Sequence, residues 1–292
     1  MLVDFRPPFY NSVLGKELRT RMRGWGAVVL ITLYMLVFGL IAGGFLIQQA
    51  GQTIGQASGV GVKLFSALAG LQLVLILLVT PSTTAGAISG ERQRQTWDLL
   101  LITRLSTFGI VWGKLASGVA FQILLMFSAL PIFSLVFLFG GVSPGDIFHV
   151  YLVSVLTALL VGSMSIFISS VSRRLATAVI VANVGVLVLT LGLSLLEVFL
   201  QSAMRPINGG YPPFSPLTEI NPLAAILSAL PDPNGSWYLG DHNWVHHAFI
   251  VFGTIPLWEA YSVVATAVSV AFILLATYFA RSRVPWLAGG AA

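Results

Sequence analysis

The densest group of potential metal ligands in this chain is Asp241, His242, His246 and His247. A spacing of four sets His242 and His246 on one face of a helix, a geometry that can hold zinc or copper. No His-Glu-x-x-His pattern accompanies them, and histidine also settles at interfaces without a metal, so both readings stand. Glu197 is a second candidate, because it lies near the end of a long apolar run. A carboxylate in hydrocarbon costs up to about 3 kcal/mol. Such an acid either faces a cavity or partner, which makes Glu197 a candidate pathway residue, or reaches out to the headgroups. Little other chemistry is available. The sequence has no cysteine, no Ser–His–Asp set and no paired carboxylates. It also lacks a G-x-x-x-x-G-K-[ST] loop to cradle phosphate; Gly113-Lys114 has neither the upstream glycine nor the following hydroxyl. An enzymatic role is therefore not expected. If ATP is used, another chain must bind it.

The composition explains why chemistry is scarce. Of 292 residues, 57% are hydrophobic and 9% charged, with a mean hydropathy of +0.91. Soluble domains carry roughly 25% charged residues, so lipid must be the solvent for much of this chain. The net charge of +5 raises the possibility of nucleic-acid binding, but the placement of the charges argues against it.

Six apolar runs approach or exceed the roughly 20 residues a helix needs to cross hydrocarbon: 25–47, 64–88, 110–139, 148–171, 175–200 and 259–280. The first is too long for a signal-peptide core and reads as an uncleaved span. The third carries Pro131, which predicts a kink or tilt. Arg6, Lys16, Arg19, Arg21 and Arg23 precede the first run. Arg92, Arg94, Arg104 and Lys114 follow the second, Arg173 and Arg174 the fourth, and Arg281 and Arg283 the sixth. In a six-span layout these thirteen of the fifteen basic residues share one side, and only Lys63 and Arg205 fall opposite. The positive-inside rule makes the arginine-rich side cytoplasmic, with both termini inside. Trp25, Trp112, Trp258 and Trp286 near the run ends fit interfacial belts.

Three connecting segments have patterns of their own. In residues 11–23, Leu14, Leu18 and Met22 recur every four positions while Lys16, Arg19 and Arg23 take other faces. This predicts a basic amphipathic helix on the inner leaflet. In the loop from Ile88 to Ser106, Trp97, Leu100, Leu101 and Arg104 share a helical face, and Ser106 is placed to cap the next helix. An exposed helix of this kind needs lipid headgroups or a partner protein to bury its tryptophan and leucines. Residues 201–258 hold eight prolines. Within them 221–230 is apolar but about half the length of a span, which predicts a re-entrant or interfacial helix under a proline-stiffened outer cap.

The run Ser89-Gly90-Glu91-Arg92, with Thr96, Asp98-Leu99-Leu100, Thr103, Leu105-Ser106 and Gly113-Lys114, resembles the cytoplasmic loop of ABC type-2 transporter permeases. The opening from Asn11 to Gly24 is similar to the amino-terminal signature of the same family. The resemblance is carried by motifs from Asn11 to about Val171, and beyond that by topology. It implies an elbow helix built on Leu14, Lys16, Leu18, Arg19, Met22 and Arg23. It also implies a coupling helix that docks on a separate nucleotide-binding subunit through Glu91, Arg92, Arg94, Thr96, Trp97, Leu100, Leu101 and Arg104. A second permease copy or homologue, a pair of ATPase subunits holding ATP and magnesium, and export as the usual direction follow from the same resemblance. Two positions depart from the family pattern: Gln95 stands where glycine is frequent and Arg104 where proline is frequent.

The expected fold is an all-α integral membrane protein of the cell membrane. Its parts are a cytoplasmic amino-terminal segment (1–24), a six-span domain (25–281) with a coupling loop at 89–109 and an outer loop at 201–258, and a cytoplasmic tail (282–292). The leading function is the permease subunit of an exporter, with membrane lipid and an ATPase as partners and no nucleic acid. The alternative is a non-transporting scaffold that binds an extracytoplasmic partner through the proline-rich loop. A third option is a metal-handling membrane protein using His242 and His246.

Overall fold

A computed structural model describes residues 24–49, 59–97, 106–203, 217–231, 247–250 and 253–281, together with Gly15 and Leu100. The elbow positions Leu14, Lys16, Leu18, Arg19, Met22 and Arg23 lie outside these residues, as do Leu101, Arg104, His242 and His246.

Among the described residues, six helical stretches are long and apolar enough to cross a bilayer: Trp25–Gln48, Val60–Gln93, Thr107–Leu138, Pro144–Val171, Leu175–Leu200 and Leu257–Arg281. All six coincide with the apolar runs. The chain is thus a multi-pass helical membrane protein. In chain order the elements are α1 (Trp25–Gln49), α2 (Val60–Thr84), α3 (Gly86–Gln93), α4 (Thr107–Ser134), α5 (Pro144–Val171), α6 (Leu175–Leu187), α7 (Leu193–Ala203), α8 (Pro222–Ala229), β1 (His247–Ile250), β2 (Gly253–Pro256) and α9 (Leu257–Arg281). The strands β1 and β2 form an antiparallel hairpin, His247 opposite Pro256, which the hydropathy pattern does not anticipate.

The central helix is α5. It packs against α2, α4, α8 and α9, and its mid-span residues are the most enclosed of the six stretches. Its start is fixed by sequence: the Ser143 hydroxyl accepts from the Asp146 amide, the Asp146 carboxylate accepts from the Ser143 amide, and Pro144 opens the helix. The half of the core away from the Arg94–Gln95 turn is aromatic. Tyr34, Phe38, Phe65, Phe133 and Tyr151 form a chain of ring contacts with centroids 4.9–5.9 Å apart. Lipid cannot hydrogen-bond, and both tyrosine hydroxyls in this region find protein partners. Tyr34 donates to Gln72 Oε1 at 2.5 Å, and Tyr151 to the Met126 carbonyl at 3.1 Å.

Two prolines mark irregularities. The helix from Val60 is interrupted at Ala85, four residues after Pro81, and resumes as α3. Beyond Pro131, α4 tightens into a 3-10 turn at Leu135–Leu138. At the same end of the bundle the next turn brings Gly140 (φ +72°) and Gly141 (φ +83°) into left-handed conformations, and the Gly140 carbonyl presses against Gly61 at the start of α2.

A side chain at Gly61 would place its Cβ 2.1 Å from the Gly140 carbonyl oxygen, a backbone atom that cannot rotate away. Gly61→Ala should cost about 1–3 kcal/mol and lower the melting temperature of the detergent-solubilised protein. Gly70→Ala, with nothing within 4 Å of its Cβ, should be neutral or slightly stabilising. Equal melting temperatures for the two variants would refute the contact.

Candidate functional site

The joint between the second and third spans meets the ends of four helices. After Pro81, α3 carries Ser89 to Gln93 out of the bundle, and the chain then reverses through Arg94 and Gln95, the latter at φ +58°. Left-handed backbone suits glycine, because a Cβ is crowded there. Gln95 adopts this conformation at some cost in strain. Helix resumes at Trp97. The expected single amphipathic helix is therefore two pieces, with Glu91, Arg92 and Gln93 belonging to the end of the second span.

Side chains on this turn bind three neighbouring helices. Glu91 accepts from Thr96, which keeps the reversal tight, and pairs with Lys114 of α4 at 3.3 Å. Lys114 is almost wholly buried, and the Glu91 side chain is 30% exposed. Toward the fourth span, Ser169 Oγ accepts from the Ile88 and Ser89 amides at 3.1 and 2.9 Å, while Arg92 donates to the Ser170 carbonyl. Toward the fifth, the Leu175 amide donates to Gln93 Oε1 at 3.2 Å. Gly86 makes room for this contact: a Cβ there would stand 2.7 Å from Leu175 Cδ1.

The expectation that Trp97 is presented outward is corrected. Its ring is 5% exposed and sits in a cluster with Ile88, Ile110, Val111, Leu115, Ala276 and Ala280. The Arg92 guanidinium lies 5.9 Å above it. The amphipathic pattern is genuine, but its apolar face is covered by the chain's own third and last spans rather than by lipid or a partner. Leu100 and Thr96 are half-buried. Gln93, Arg94 and Gln95 are exposed and form the outermost described surface of the turn. Ser106 caps α4 as expected, accepting from the Gly109 amide at 3.1 Å. The parts of this joint that sequence reasoning missed are Lys114, Ser169 and Ser170. Gly113-Lys114 did stand among the family-like residues, whereas the serines gave no signal among the many others.

Glu197 is brought into a different assembly, toward the opposite end of the bundle from the Arg94–Gln95 turn. Residues Val188–Gly192 form a π-helical turn in the fifth span, which widens the helix and displaces its carbonyls from their usual partners. Asn221 donates to the Thr190 carbonyl at 3.3 Å and to Ser194 Oγ at 2.7 Å. It also caps α8, accepting from the Leu223 amide at 3.0 Å. One to two turns farther out, Glu197 is buried and accepts from Thr218. Glu197 thus ties the fifth span to the outer segment. Next to it in sequence from Thr218, Glu219 is buried with Oε1 lacking a partner among the described residues, and burial pushes its carboxyl above the usual glutamate range.

The sequence model of the ABC-2 type transporter family matches residues 11–231. No curated protein matches the chain at a significant level.

The two members of the Glu91–Lys114 pair should respond unequally to truncation. Glu91→Ala leaves an ammonium enclosed without this partner, whereas Lys114→Ala leaves a carboxylate that already reaches water. Glu91→Ala should therefore be more destabilising by about 1–2 kcal/mol, and the double variant should recover part of the loss in a thermal-shift cycle; strictly additive effects would argue against coupling. For Glu219 the raised pKa means that the neutral acid is favoured in the fold. Stability is full below the ordinary glutamate pKa and falls as pH rises through the folded-state value. Glu219→Gln should raise the melting temperature at pH 8 and change little at pH 4. A benefit independent of pH would exclude ionisation as its cause.

Proposed function

The chain belongs to the ABC-2 type transporter family, and on that basis we propose that it is the membrane-spanning permease subunit of an exporter driven by a separate ATPase. The observation that carries this reading is the clamped turn. Gln93, Arg94 and Gln95 stand out from the bundle, while Glu91, Arg92, Gln93 and Ser89 bind the turn to the third, fourth and fifth spans. A push on the exposed residues passes into three helices at once as a rigid-body motion.

In this reading Gln93, Arg94 and Gln95 meet the ATPase directly, together with Leu101 and Arg104 farther along the loop. Glu91, Arg92, Thr96, Trp97 and Leu100 act behind them as positioning residues. ATP and magnesium belong to the partner, which fits a sequence with no phosphate-cradling loop. The arginine-rich end, and with it both termini, faces the cytoplasm. Residues 11–23 would serve as the elbow on the same leaflet.

A second copy completes the transporter. The first and fifth spans leave most of their mid-span surface uncovered, and Gly39 and Gly43 lie away from the buried face of α1 formed by Ala27, Tyr34, Phe38 and Ala42. Small residues at this spacing admit close helix approach. The substrate would pass between the two copies.

Two measurements test the proposal. With the ATPase subunit co-expressed, Arg94→Glu should weaken its retention in detergent about tenfold while the permease still inserts; undiminished retention would remove the turn from the docking surface. The cysteine-free sequence allows labelling of single cysteines at Gln95 and Gly145, which should react from opposite sides of the membrane, Gln95→Cys from the cytoplasm. Labelling from the same side would overturn the topology.

A further inference from the structure

We infer that Arg94, Arg173 and Arg174 form a binding site for the phosphate of an anionic lipid headgroup, set at the bilayer surface beside the turn. The inference rests on the membrane spans and not on which compartment this end faces, nor on ATPase docking.

Hydrogen bonds bring the three arginines together. The Gln93 side chain holds the Leu175 amide, and Arg92 holds the Ser170 carbonyl. Arg94 on one loop and Arg173 and Arg174 on the other therefore flank a single contact. All three are exposed, and none forms an ion pair with a described residue. The described carboxylate nearest in sequence, Glu91, is directed at Lys114 and Thr96. Guanidinium groups concentrated in this way repel one another, and an anion placed between them relieves the repulsion.

The depth of the site selects the anion. The helix α5 ends at Val171 and α6 begins at Leu175, and both of these apolar side chains are exposed, at 42% and 38%. Only the short link between them is polar, so Arg173 and Arg174 stand where hydrocarbon gives way to headgroups. The close packing of Gly86 on Leu175 holds the turn at that level. Phe108 and Trp112, exposed near the start of α4, have the aromatic character of an interfacial belt. A protein arriving from water meets the tip of the turn first, whereas a lipid phosphate already lies at the depth of Arg173 and Arg174, with Arg94 reaching it from the turn above. The planar guanidinium fork matches phosphate oxygens in pairs, which an ammonium does not. Basic clusters at span ends recognise anionic lipids in this way.

The test uses the full chain in detergent, with lipid retention read by native mass spectrometry after exchange against equal phosphatidylglycerol and phosphatidylcholine. Wild type should retain phosphatidylglycerol preferentially. Arg173→Gln with Arg174→Gln should cut that preference about tenfold, with Arg94 left in place so that docking is undisturbed. Because those charges also direct insertion, Arg173→Lys with Arg174→Lys supplies a variant of unchanged charge, expected to lose part of the preference; correct insertion is checked by labelling Gly145→Cys. Full retention by the lysine pair would reduce the effect to diffuse charge and overturn the site. An unchanged preference in the glutamine pair would do the same, whether or not ATPase binding falls. So would displacement by inorganic phosphate with no preference between the two lipids, which would make the ligand a free anion.

Discussion

Hydrocarbon offers no hydrogen bonds, and much of the architecture of this chain follows from having to satisfy its backbone polar groups within itself. Regular helix meets the requirement automatically for the backbone. Hydroxyl side chains within spans meet it by returning to the preceding turn, as Thr84 does to the Thr80 carbonyl, Thr157 to Val153 and Thr277 to Ile273. At several places where the helix departs from regularity or ends, a side chain from another element completes the bonding. Those places of borrowed satisfaction are also where the spans are joined to one another. Asn221 supplies the donor at the π-turn near Thr190. Ser169 accepts the amides of Ile88 and Ser89 just after the interruption that follows Pro81. Arg92 donates to the Ser170 carbonyl at the end of α5. Irregular backbone and interhelical linkage are two sides of one constraint.

That constraint also decides what the sequence reveals. Span length follows from bilayer thickness alone, so hydropathy located all six crossings within a few residues. The apolar segment at 221–230 was visibly too short to span, and the structure places α8 there as an eight-residue helix. Ser106 was legible as a cap because its hydroxyl acts locally. Nonlocal satisfaction was not legible. The periodicity of Trp97 and Leu100 announces an apolar face but not what covers it, and here the chain's own last span does. Nothing in the spacing of Ser169 distinguishes it from the other serines of the fourth span. The left-handed backbone at Gln95 carries no signal in its residue type. The hairpin joining β1 and β2 lies in a segment whose proline content spoke more loudly than its short apolar strands.

The corrected position of Trp97 changes how force would travel. A tryptophan on the outer surface would make the turn a sticky patch whose partner supplied the rigidity. With the ring enclosed by Ile88, Ile110, Val111 and Ala280, the rigidity is internal and the exposed surface is polar. An interface with Gln93, Arg94 and Gln95 at its centre gains most from charge and hydrogen-bond complementarity, which favours fast, reversible association. Glu91 and Lys114 then link the turn to α4 in the third span, and the serine contacts link it to α5, the central helix of the bundle.

The fifth span brings the two joints into one mechanical line. Its first turn is held by Gln93 through the Leu175 amide, and its far half by Asn221 and by the contact of Glu197 with Thr218. Between these anchors its surface is largely uncovered by the rest of the chain, and the π-turn at Val188–Gly192 lies next to the far anchor. A helix fastened at both ends and loosely packed along its length moves as a rod when either end is displaced, and its weakest point is where the regular ladder is broken. Displacement of the inner turn would therefore reach α8 and the outer segment through α6 and α7 without rearranging the aromatic core around Phe133. The polar residues that satisfy the backbone at each end are the same ones that would set how far the motion carries.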